Sequence, residues 1–125
     1  MYSFLIVIQA LLMNWYISKI VFRISAENTR HKPQFDEQLR LIAAESEEEA
    51  FLKARTIGLS EEDSFLNDKQ NTVKWEFINV SDIVPIKKLE DGMEIYSHIH
   101  ETDEARSYIH CVHQKAIFLR MNSKI

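Results

Sequence analysis

The chain has 125 residues, 46% hydrophobic and 27% charged, with 15 Lys+Arg against 19 Asp+Glu and a formal charge of -4. That length and balance suit one folded domain, and they exclude a disordered tail, a collagen-like fibre and a disulfide scaffold. No basic excess points to nucleic acid, and two glycines far apart, Gly58 and Gly92, cannot build a glycine-rich phosphate loop.

Residues 1–13 form an apolar leader, YSFLIVIQALLM from Tyr2 to Met13. It is shorter than the ~20 residues a membrane helix needs, and it lacks the basic start and small-residue cleavage site of a secretory signal. The expectation is an upstream extension ahead of Met13, or a short segment packed on the domain, rather than a membrane span.

The α+β domain proper is expected over residues 14–101. Tyr16, Ile20, Phe22 and Ile24 alternate with Lys19 and Arg23, which predicts a first strand over Trp15–Ile24. The polar run 25–34 is a connection, and a second strand over residues 35–44 is predicted to turn Phe35, Leu39 and Leu41 inward. Ser46 and Glu49 make an S-x-x-E capping box, and Glu47, Glu48 and Glu49 suit the positive end of a helix dipole. Ala50, Phe51, Ala54 and Ile57 form the stripe of that helix, with Gly58 expected as its left-handed terminating residue. Residues 59–71 are polar and acidic, expected as a helical extension or turn.

Val73, Trp75 and Phe77 predict a third strand, with Pro85 barring its continuation as an interior strand. Asp91-Gly92 is a turn signal, and Met93–Glu101 is predicted as the fourth strand. Thr102 caps a last helix over residues 102–125, expected to pack on the domain through Ala105, Ile109, Val112, Ala116 and Leu119. The predicted architecture is α+β: a four-stranded, mainly antiparallel sheet in the order β-β-α-β-β-α, with helices on one face.

Several spaced motifs carry a resemblance: NWYISKIVFRI at 14–24, LRLIAAESEEEA at 39–50, KARTIG at 53–58, VKWEFINVSDI at 73–83 and DGMEIYS at 91–97. Together they resemble a family of small bacterial proteins of unknown function, with W-Y-x-x-K, A-x-S-x-E-E-A, W-E-F and G-x-E-x-Y-S signatures. The resemblance implies a cytoplasmic α+β domain, often following directly on a start methionine, which is where Met13 stands. It transfers no activity and no catalytic residue.

Chemistry-bearing residues are sparse. His98 and His100 share a strand face and His110 and His113 lie near each other on the last helix, so the four are weak candidates for a zinc site. A Cys111–histidine dyad is disfavoured because neighbouring helical positions diverge, and lone Cys111 suits a reducing compartment as a small, semi-buried side chain. Glu76 and Glu94 are better explained as a polar strand face than as an acid/base pair. Trp15, Tyr16, Glu94 and Tyr96 are the candidate interaction surface. The sequence favours a cytoplasmic, non-catalytic protein-interaction or regulatory module with no cofactor. Its expected partner is a protein, including a homodimer through a sheet edge or face, and neither nucleic acid nor a membrane is expected. The alternative is a metal- or small-ligand-binding protein using His98, His100, His110 and His113.

Overall fold

A computed structural model describes residues 13–28 and 32–122, and residues 1–12 of the leader lie outside them. The elements follow as β1 (Asn14–Ala26), β2 (Gln34–Ala44), α1 (Glu47–Ser60), β3 (Asp63–Leu66), β4 (Thr72–Ile86) and α2 (Ala105–Asn122). The strands pair antiparallel in the order β2-β1-β4-β3. The α+β class and the element order are those read from the sequence.

Helix α1 begins as its capping box requires. Ser46 is extended, and its hydroxyl accepts a hydrogen bond from the Glu49 amide at 3.1 Å. The Glu49 carboxylate accepts from the Glu45 amide at 3.3 Å, one residue before the cap. The helix lies on one sheet face through Ala50, Ala54 and Gly58, all buried and four residues apart. Beneath them sit Tyr16, Ile20, Phe22, Ile42, Ala44 and Val80, with Phe51, Ile57, Trp75, Phe77 and Ile83 packed around this core. Phe22 and Phe77 meet edge to face at 6.2 Å.

Gly58 differs from its expected role. Helix α1 continues past it to Ser60, with Glu61 as the C-cap. The residue is glycine because the helix approaches the sheet closely there. A Cβ would overlap the Phe77 ring and come within 3.1 Å of Ile20 Cγ2. Gly92 is the glycine that needs its freedom, with φ +81 in the expected turn.

The face of β2 is also reversed. Its register sets Ile42 opposite Tyr16 and Leu41 opposite Ile17, so Ile42 and Ala44 enter the core while Phe35, Leu39 and Leu41 point to the uncovered side. The end of β2 reads Leu41-Ile42-Ala43-Ala44, apolar on both faces, and period two alone cannot choose between them.

Met93–Glu101 is not a strand. The fourth strand is instead β3, from a segment expected to be helical or turn. Asn67 closes the β3–β4 hairpin: its side-chain oxygen accepts from the Lys69 and Asn71 amides at 2.9 and 3.0 Å. This local connection claims the β4 edge before the distant segment can reach it, as the small entropy of short loop closure favours. Strand β4 runs through Pro85 because β3 flanks it only over Thr72–Trp75. At Pro85 the missing amide therefore leaves no ladder incomplete.

The expected packing of the C-terminal helix on the domain is absent. No described residue of α2 is buried, and α2 has no packing contact with the strands or α1. Among the described elements, α1 alone packs on the sheet.

Two substitutions test this packing. Gly58→Ala should destabilise the fold by about 1–3 kcal/mol through overpacking, outweighing the ~1 kcal/mol helix-propensity gain; urea unfolding reads the difference. Ser18 Oγ is fully buried with no hydrogen-bond partner among the described residues. Ser18→Ala should consequently leave thermal stability unchanged or raise it by up to ~1 kcal/mol.

Candidate functional site

The face of the sheet away from α1 is exposed in part, with Ile17 buried at 4%, and its residues fall into three zones. At the start of β1, Trp15, Ile17, Leu39, Leu41, Val84 and Ile86 form an apolar zone, set side by side by the β1–β2 and β1–β4 registers. Trp15 is 51%, Leu39 51% and Leu41 66% exposed, and Phe35 further along β2 is 55% exposed. Residues 87–89 turn back over this end, so Trp15, Leu41, Ile86, Lys87, Lys88 and Leu89 enclose an apolar cleft of about 400 Å³.

In the middle stands Lys19. Its ammonium donates to the Tyr96 hydroxyl at 3.1 Å and pairs with Glu37 at 3.2 Å. Nζ lies 5.4 Å from the Tyr96 ring centroid, and with the hydroxyl so much nearer it stands beyond the oxygen. The contact is a charge-assisted hydrogen bond rather than a cation seated on an aromatic face. The Tyr96 hydrogen bond, aided by Glu37 and opposed by burial, holds the Lys19 pKa above its ordinary value. This contact pins the segment after β4 to the middle of the open face. At the far end, Arg23, Lys74 and Glu76 with Glu62 and Asp63 line an open polar groove of about 700 Å³.

The candidate surface from the sequence is divided by these positions. Trp15 and Tyr96 belong to the open face, and Glu94 is exposed in the segment leading to Tyr96. Tyr16 does not belong: it is 6% exposed and packs in the core beneath α1, because adjacent strand residues point to opposite faces. Leu39, Leu41 and Phe35 belong to the surface and were missed, having been assigned inward. The signal that could have found them is the pairing of β2 with β1, whose Lys19 and Arg23 already mark the uncovered side.

The four histidines do not form a site. Among the described residues, no group of three His, Cys, Asp or Glu could hold a metal ion. His100 stacks on Tyr108 at 5.0 Å, while His98, His110 and His113 are exposed. Cys111 is exposed rather than semi-buried. Glu76 lines the polar groove and Glu94 lies outside any strand, so the two carboxylates do not share a strand face.

Fold and surface together define an antiparallel α+β domain with one helix-covered face and one open face. The chain belongs to the DUF4288 family, a domain of unknown function, whose pattern matches residues 15–97. No curated protein and no solved structure matches the chain. The family match ends next to Tyr96, the last residue pinned to the sheet.

Loss of the pin should be measurable. Tyr96→Phe should lower stability by about 1 kcal/mol near neutral pH. Because the Lys19 pKa is raised, its contribution is present below the ordinary value of ~10.4 and lost as pH rises through the higher folded value. Thermal melts between about pH 8 and 11 should show a smaller alkaline decline for Lys19→Met than for the parent protein.

Proposed function

We propose that the protein is a non-catalytic protein-interaction or regulatory module that works through the open face of its sheet. The observation that carries this reading is the exposed apolar zone of Trp15, Leu39 and Leu41, contiguous in register and bordered by charged residues. Apolar patches rimmed by polar groups mark binding surfaces more often than ordinary solvated ones. Trp15 is the natural anchor, since interface energy concentrates in large aromatic side chains near the centre of a patch.

The same reading takes the protein to be bacterial and cytoplasmic, with a homodimer among its assemblies. The motif resemblance supports the setting, and a single, unpaired Cys111 suits a reducing compartment. Among the described residues no helix is long and apolar enough to cross a membrane. The metal-binding alternative draws no support from the separated histidines.

Trp15→Ser and Leu41→Ser alter residues that are mostly exposed, so both variants should fold. Affinity capture from the native cell with mass spectrometry should recover a partner with the parent protein and lose it with either variant. Recovery that ignores both substitutions, or no partner above background together with a monomeric chain, would overturn the proposal.

A further inference from the structure

Two apolar surfaces are left exposed among the described residues. One is the Trp15–Leu39–Leu41 zone of the sheet. The other is the stripe of α2, where Tyr108, Ile109, Val112, Ala116 and Leu119 recur at helical spacing and none is buried. Charge separates the same two parts of the chain. All 19 acidic residues precede residue 105, against eleven basic ones, whereas the last 21 residues carry Arg106, Lys115, Arg120 and Lys124 and no acid. A basic helix therefore follows an acidic domain.

In the structure α2 makes no contact with the strands of its own sheet. Tyr96 is fixed to Lys19, and His100 is stacked on Tyr108 in the first turn of the helix. Only residues 97–99 separate these anchors. Thr102 further shapes the entry, its hydroxyl accepting from the Glu104 amide at 3.1 Å. Pairing of α2 with another α2 would set basic residues against basic residues with no acid on either helix. The sheet domain of a second chain has the opposite overall charge. Glu37 and Asp82 share the open face with Lys19, which pairs with Glu37. Lys87 and Lys88 flank the Trp15–Leu41 cleft, and Glu94 lies in the segment leading to Tyr96.

We propose that the protein forms a two-fold homodimer by exchanging C-terminal helices, each α2 laying its Ile109–Val112–Ala116–Leu119 stripe on the Trp15–Leu39–Leu41 zone of the partner. Reciprocal exchange makes the interface self-complementary, as a two-fold axis requires. An 18-residue helix is ~27 Å long and ~10 Å wide. Two such contacts bury roughly 1,000 Å², the lower bound for a specific assembly. This inference rests on the open face being a binding surface and names its occupant.

The test uses the full chain. Sedimentation equilibrium should give a dimer for the parent protein, and Val112→Glu or Leu41→Glu should each weaken it by about tenfold or more. Circular dichroism verifies that both variants remain folded. A monomeric parent protein, or a dimer indifferent to Val112→Glu or to Leu41→Glu, overturns the exchange.

Two further results would overturn it by naming another occupant. One is a monomer whose Leu41 face is shielded by its own helix or by residues 1–12, read by labelling of Leu41→Cys in the Cys111→Ser background. The other is a monomer that binds phosphatidylglycerol vesicles in a Val112-dependent way. Capture of a different protein that is lost in Leu41→Glu but unchanged in Val112→Glu would overturn the exchange while leaving the interaction-module reading intact.

Discussion

The close approach of α1 to the sheet governs the rest of the structure. Ala50, Ala54 and Gly58 present almost no side chain to the strands, so the helix backbone comes near enough for Phe77 and Ile20 to fill the space against it. Larger residues at these steps of four would lift the helix and open the core. This one helix seals one face, and among the described residues the opposite face carries exposed apolar side chains. Cover on one side and exposure on the other are consequences of the same arrangement.

The open face is organised by a single polar contact. Lys19 sits between the apolar and the charged zones and fixes Tyr96 above the sheet, so the chain leaving β4 returns across the surface. The contact is worth more than an exposed ion pair because the Lys19 side chain is only 12% exposed and is held by a hydroxyl as well as a carboxylate. It also determines where the rest of the chain departs. The C-terminal helix is placed by this anchor and by the His100–Tyr108 stack, rather than by packing of its own.

Much of the fold was legible because local chemistry was unambiguous. Ser46 and Glu49 announced the start of α1, and Gly92 announced its turn. Tyr16, Ile20 and Phe22 declared the inward face of β1. The errors arose where a decision depended on a distant neighbour. Alternation in Met93–Glu101 describes an extended chain equally well with or without a ladder, while the Asn67 turn that creates β3 is polar and has no apolar pattern. Leu39 and Leu41 are apolar, yet the register with β1 turns them outward. Gly58 was read from helix-end statistics, although its reason lies in a ring on β4, nineteen positions along the chain. Of the surface, Trp15 and Tyr96 were found and the β2 residues beside them were not. The histidines, conspicuous by spacing, form no group of three among the described residues, because Met93–Glu101 is not the strand on which α2 was expected to fold back.

Strand β4 carries two irregularities against β1: Ser81 falls between the pairs at Asp82 and Val80, and Ile78 falls between those at Asn79 and Phe77. Each extra residue bends the strand and breaks its regular outer row of amides and carbonyls, and Glu62 occupies one of those amides at Phe77. A foreign strand would find no straight template along β4 beyond the reach of β3. The uninterrupted margin is β2, whose pairing with β1 has no such shifts over its eleven residues. Asp36, Gln38 and Arg40 are joined there in a chain of side-chain hydrogen bonds that ends on Glu61. That polar ladder along the margin guards the sheet against unplanned growth, leaving association to its face.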